Sequence, residues 1–394
     1  MSEDLTRAFP RRQFLTETAY LGAGYSIAST FPFPALSSSL GDDPRISQTP
    51  VVDAGFASVR KIGDGVYATI SDPSKGLSTM CNGGFLFGKD AALLVEGFVT
   101  AAGAAFQMDA MRKVSQTPAA GALDTHYHYD HSLGNSFYGA NGVQLWGHAA
   151  LPQRITESYG GMQATERTTF LAPFEKRVNE AKSEAQKQHA DGDLRMFGNI
   201  FDFVRKSPLT LPNRLLDPAT LPLNVDLGHF PIAVEAYPGH SGTDLIIRVP
   251  EQKVVYAGDL VFSGSYPATF DEKASIPGWR ATLKTFASWD KDTIFVPGHG
   301  PVCGQEGIQR LRDVFDDLSE QAERMYKAGV PLAEAGDQYV IPDKYKNLTV
   351  FSWGLCVRPA ITKLYADCSA NKGSTGSLGC RQWAPRAVVR SAAS

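Results

Sequence analysis

Three of the chain's eight histidines fall within six residues, His126-Tyr127-His128-Tyr129-Asp130-His131. His126 and His128, two apart, project to one side of an extended segment, while Asp130 and His131 follow after the chain turns and face the opposite side of the same pocket. One loop therefore offers two adjacent sets of nitrogen and oxygen ligands. Imidazole with carboxylate suits Zn²⁺, with Fe or Mn as competitors. The five cysteines show no Cys-x-x-Cys spacing, which removes a structural thiolate ribbon and a dithiol redox motif. Three further pieces can complete the ligand sets: His240 in Pro238-Gly239-His240-Ser241-Gly242, Asp259 in Ala257-Gly258-Asp259-Leu260, and His299 in Pro297-Gly298-His299-Gly300. Each follows an apolar run and sits in a Gly-containing turn, where a strand end delivers a side chain to a rim.

The ordered set His126-x-His128-x-Asp130-His131, His240, Asp259, His299 resembles the metallo-β-lactamase superfamily over roughly residues 55 to 305. The resemblance implies an α/β fold, an αββα sandwich with a binuclear site at one edge. By matching positions, His126, His128 and His240 would hold the first of two Zn²⁺ ions. Asp130, His131 and His299 would hold the second, Asp259 would bridge, and Asp130 and Asp259 are the catalytic carboxylates. Two divalent ions a few Å apart lower the pKa of a shared water and stabilise the oxyanion formed on attack. The expected activity is hydrolysis of a small ester, thioester, lactam or sulfur-containing substrate. A class B β-lactamase and a non-catalytic metal-binding or redox accessory protein are the alternatives. Where many members carry Asp-Thr-Gly after an early strand, this chain has Val95-Glu96-Gly97, so Glu96 is placed behind a ligand histidine. Asp124 and Thr125 before the motif, and Asp244 after His240, are placed in the same supporting role. Tyr127 and Tyr129 are expected to face away from the metals, and His148, His189 and His229 to serve local packing or solvation.

Elements to position these ligands are legible on both sides of the motif. Ala57 to Ile70 reads as a hairpin about Gly63-Asp64-Gly65, followed by strands at Gly83–Gly88 and Ala91–Glu96. Ala104, Met108 and Met111 give Ala101–Val114 a helical period, leading into a strand at Gly121–Leu123. Val143–Trp146 is a further strand, and residues from about 151 to 206 form a helical insertion before a Pro-rich connection, Ser207 to Leu223. A second β-rich half follows, with strands at Ile232–Tyr237, Leu245–Val249, Val254–Ala257 and Thr293–Val296 and a helix near Trp279–Trp289. The segments Gly160–Asn199 and Ser263–Gly278 are expected to shape the pocket. Gln305 to Ala366 reads as mostly helical, broken at Pro331, Pro342 and Pro359.

These features divide the 394 residues into a signal and linker (1–40), a metallo-β-lactamase-like domain (41–330) and a C-terminal helical extension (331–394). Arg11-Arg12-Gln13-Phe14-Leu15, a mildly apolar stretch and small residues near Ala28 resemble a twin-arginine export signal, which predicts a soluble periplasmic protein. That compartment would permit a disulfide, for which Cys368 and Cys380 are the first candidates, with free structural thiols as the alternative. A net charge of −3 provides no basic footprint for nucleic acid, and no run of 18 uncharged apolar residues exists to span a bilayer. The expected partner is a small-molecule substrate; oligomeric state is not legible.

Overall fold

The computed structural model describes residues 43–371; Arg11-Arg12, where an export signal is expected, and Cys380 lie outside them. Two sheets form the interior. The first runs β1 (Val52–Asp53), β2 (Ala57–Gly63), β3 (Val66–Ser71), β4 (Gly83–Phe87), β5 (Ala92–Val95), β6 (Ala119–Leu123), β7 (Leu145–His148) and β8 (Arg214–Leu216), in that spatial order. Its pairs are antiparallel up to β5 and parallel from β5 to β8. The second contains β9 (Leu223–Asp226), β10 (Pro231–Ala236), β11 (Leu245–Val249), β12 (Val254–Phe262) and β13 (Ile294–His299), in the order β13-β12-β11-β10-β9.

The period of two along each strand assigns the layers. On β5, Leu93 and Val95 face the second sheet, where they meet Val234, Ile247 and Tyr256. Ala92 and Leu94 face outward onto Ala104, Met108 and Met111 of helix α1 (Ala101–Val114). On β12, Val254 and Tyr256 point between the sheets, while Val255 and Ala257 pack with Trp279, Leu283 and Phe315. Those three belong to α2 (Ile276–Ala287) and α3 (Gln305–Lys327). The result is helix, sheet, sheet, helix, the expected αββα sandwich.

The insertion begins as a helical stretch at Leu151–Ile155 and continues through α4 (Arg167–Asn179) and α5 (Glu184–Lys206). Leu151, Ile155, Ile200 and Val204 pack on Tyr127, Tyr129 and Leu133, so the insertion is seated on the ligand-bearing loop. Past Pro331, α6 (Leu332–Gln338) and α7 (Trp353–Asn371) join the same hydrophobic cluster as α2 and α3. Asp193 of α5, fully buried, accepts from Gly354 N at 2.6 Å and Arg358 Nη1 at 2.8 Å, tying insertion to tail.

Three local expectations are corrected. The Pro-rich connection contains β8, and β9 starts at Leu223; both are short edge elements whose prolines mask the strand pattern. The strand expected to stop at Ala257 runs on to Phe262 with register shifts about Gly258. Pro359 does not break its helix. A proline there frees the carbonyl four residues earlier, and Leu355 O instead accepts from Thr269 N at 2.8 Å.

Candidate metal centre

All seven sequence-derived ligands meet at one edge of the sandwich, and the first sheet supplies four of them. The chain leaves β6 at Leu123 and passes through His126 and His128 into the short helical turn Tyr129–Ser132, which carries Asp130 and His131. From the second sheet, the β10–β11 loop supplies His240, a bulge in β12 supplies Asp259, and the end of β13 supplies His299. Gly258 adopts φ +50° with Thr125 directly against its Cα, a position that no Cβ can share. The bulge re-aims Asp259 into the site. Gly298 must also lack a Cβ, because Asp259 Oδ1 occupies that space.

The side chains form two sets, His126, His128, His240 and Asp259, and Asp130, His131 and His299. Within each set the ligand atoms lie within 4.8 Å of one another. His128 Nδ1 stands 3.0 Å from His126 Nε2 and 2.8 Å from His240 Nε2. Asp259 divides its oxygens: Oδ2 lies 3.2 Å from His240 Nε2, and Oδ1 lies 3.2 Å from His131 Nε2 and 3.4 Å from His299 Nε2. Asp130 Oδ2 closes the second set at 3.2 Å from His299 Nε2.

Outer contacts fix which nitrogen of each first-set imidazole carries its proton. His128 Nε2 faces Asp271 Oδ2 at 3.1 Å, and His240 Nδ1 faces Ala268 O at 2.9 Å. His126 Nδ1 faces Thr125 Oγ1 at 3.1 Å, while that hydroxyl donates to Glu96 Oε1 at 2.6 Å. With those protons outward, three lone pairs point at one another, an arrangement that repels unless a cation sits among them. In the second set His131 Nε2 and Asp259 Oδ1 are buried without a hydrogen-bond partner. The donor sets therefore fit a dinuclear metal site.

The local electrostatics agree. Burial and the neighbouring His131 drive His126 well below the usual imidazole range, leaving a neutral ligand. Burial opposes the charged form of Asp259, but His299, His131 and His240 outweigh it and hold the carboxyl well below its ordinary value. Burial likewise opposes charge on His299, yet Asp259 and Asp130 lift it to about 9.

Glu96 supports two ligands, His126 through Thr125 and His131 through a 3.1 Å approach of Oε1 to Nδ1. Asp244 accepts from the backbone of His240 and Ser241 and braces that loop. Asp124 does not reach an imidazole; its carboxyl accepts from Asn135 Nδ2 at 2.6 Å. Tyr127 turns away from the ligands and donates to Asp271 Oδ2 at 2.6 Å. Tyr129 lines the cavity described below. His148 Nδ1 accepts from Ala150 N, a local turn contact. His229 sits in a turn at φ +55°, and His189 stacks on Trp353 with ring centroids 3.7 Å apart.

Sequence reasoning missed three supports. Asp271 receives His128, Tyr127 and Arg154 together. Asn82 donates to Pro297 O and Gly300 O and accepts from Ser71 N, lacing the His299 turn to the first sheet. Cys81 donates to Asp130 O, and burial pushes its thiol up, away from reactivity. None announces itself by spacing. Cys368 is disulfide-bonded, while Cys81, Cys303 and Cys356 are free.

A cavity of about 1130 Å³ opens from the metal ligands and is walled by α4, α5, the segment after Ser263 and residues 341–355. Both segments expected to shape the pocket line it.

The fold and site define a metal-dependent hydrolase of layered α/β type. A family model for the metallo-beta-lactamase superfamily matches residues 79–299, and the chain belongs to that superfamily. Among solved structures, a metallo-beta-lactamase from Erythrobacter litoralis with beta-mercaptoethanol in its active site is similar at 15% identity, over 67% of this chain and 97% of its own, with a TM-score of 0.44. DIM-1 metallo-beta-lactamase is similar at 14% identity, over 66% of this chain and 96% of its own, at 0.46. TMB-1 is similar at 16% identity over the same shares, at 0.45. Among the described residues, no helix is long and apolar enough to cross a membrane.

Proposed function

We propose that this chain is an exported binuclear zinc hydrolase acting on an ester, thioester, lactam or sulfur-containing small molecule. The observation that carries the reading is the convergence of three outward-protonated imidazoles on one point, with Asp259 presenting one oxygen to each ligand set. His126, His128, His240 and Asp259 would hold one cation; Asp130, His131, His299 and the other oxygen of Asp259 would hold the second. The all-nitrogen-and-oxygen donor set favours zinc. Such a pair supplies Lewis acidity and an activated water at neutral pH.

The chain's own residues prepare the site for that chemistry. Asp271, the Ala268 carbonyl and Thr125 lock the three imidazole rings, which removes reorganisation from the reaction. Phe270 stacks on His128 at 4.8 Å and Phe262 on His299 at 5.4 Å, so apolar faces flank the reacting centre and limit bulk water. Export rests on Arg11-Arg12, and replacing both by Lys should abolish periplasmic accumulation.

The test is metal quantification of the natively exported full-length protein beside a panel of ester, thioester, lactam and phosphodiester substrates. Two zinc ions per chain with metal-dependent turnover are expected. Two bound metals with inertness across the panel would favour the accessory-protein alternative.

A further inference from the structure

We propose that the substrate carries a large apolar group, a long alkyl or aryl chain of roughly eight or more carbon atoms, seated in the cavity between the insertion and the C-terminal segment. The inference rests on the hydrolase reading above and specifies its substrate class.

The cavity, about 1130 Å³, exceeds what ordinary drug-sized ligands occupy, so a small acyl group at the metal ligands would leave most of it unfilled. Its wall is largely apolar. Leu171 of α4, Met196 of α5, and Phe351, Trp353 and Leu355 before and within α7 line it, with Met80 from the first half of the chain. Charge is confined to the metal-ligand end, where Asp130 and Asp259 lie, and to the surface-facing helices, where Arg167, Glu175 and Arg195 lie. An elongated substrate with its scissile group at the ligands and an apolar body along this wall matches that division.

The wall is also held in place. Tyr266 N donates to Thr349 O at 2.8 Å and Thr349 N to Gly264 O at 3.0 Å, joining the tail to the loop after β12. Thr269 N donates to Leu355 O, and Asp193 binds Gly354 and Arg358. Trp353 is capped by the His189 ring. Residues 341–355 lie beyond the part of the chain that matches the family model, whereas Met80, Leu171 and Met196 lie within it.

Two measurements on the metal-loaded full-length chain test the proposal. In calorimetric titrations, sodium decanoate is expected to bind at least about 100-fold more tightly than sodium butanoate, since each buried methylene is worth roughly threefold to fourfold. With p-nitrophenyl acetate, butanoate, octanoate and decanoate, kcat/KM should climb with chain length, chiefly through KM. Leu171→Ala should lower decanoate affinity about tenfold, and Met196→Ala, at a less buried position, guards against a folding defect in the first variant. Decanoate and butanoate binding alike, with esters still turned over, would overturn the apolar-group inference and leave the hydrolase reading intact. Tight decanoate binding without turnover of any ester, thioester or lactam would overturn the hydrolase reading instead.

Discussion

His128 and Asp271 are 143 residues apart in sequence, yet Nε2 of the first lies 3.1 Å from Oδ2 of the second. The carboxylate also receives Tyr127 Oη and Arg154 Nη2, so it is fixed before it fixes the histidine. Burial works against its charge, but the contacts with His128 and Tyr127 prevail and hold it below the ordinary carboxylate range.

Asp271→Ala should therefore weaken metal binding at the first set by about 10- to 100-fold while excess metal restores the stoichiometry. Competition against a chromophoric chelator measures this. Affinity equal to that of the parent protein would show that the carboxylate does not orient His128.

Asp259→Ala removes the one side chain that serves both sets. Occupancy of the second metal and turnover should fall together, which elemental analysis and kinetics on the same sample would reveal. Full activity with two metals retained would refute the bridging assignment.

In metal-free protein His299 sits at about 9, above the ordinary imidazole value of 6.5, and is cationic at pH 7. A metal ligand must be neutral, and His131 of the same set is also held well above the ordinary imidazole value, so filling the second set should release at least one proton, and apparent affinity should rise at least about tenfold per pH unit up to about pH 9. The stabilisation of metal-free protein by this group is complete below pH 6.5 and is lost between pH 6.5 and about 9. Titrations in buffers of different ionisation enthalpy report the proton directly; a heat independent of buffer would contradict the assignment.

Asp193→Ala strips a buried carboxylate from Arg358 and leaves the guanidinium paired only with Asp337 of α6, on its own side of the interface. A loss of about 3–5 kcal/mol is expected. Urea denaturation of the metal-loaded chain would measure it, and a loss under about 1 kcal/mol would mean that water replaces the contact.

The seven ligands were legible because each lies in a short local pattern, a dense His/Asp cluster or a Gly-flanked turn after an apolar run. The two sheets were legible from strand periodicity at Ala57–Ile70 and Leu245–Val249. Asp271 was not, since nothing near it in sequence indicates which histidine it will face; that pairing exists only once the loop after β12 folds over the first sheet. Glu96 and Thr125 were each placed behind a ligand, but the hydrogen bond from the Thr125 hydroxyl to Glu96 that joins them across 29 residues exists only in the folded chain. The continuation of α7 through Pro359 depends on a donor from Thr269, ninety residues earlier, which no helix rule anticipates.

His126, His128, Asp130 and His131 ride on one sheet, and His240, Asp259 and His299 on the other. Each ligand set therefore straddles the two sheets, and how closely its two halves approach is governed by the thickness of the filling between the sheets, at residues such as Leu93, Val234 and Tyr256. Swapping one of those side chains for a bulkier or slimmer one would act as a vernier on the width of both ligand cages, retuning metal affinity from positions that touch no ligand.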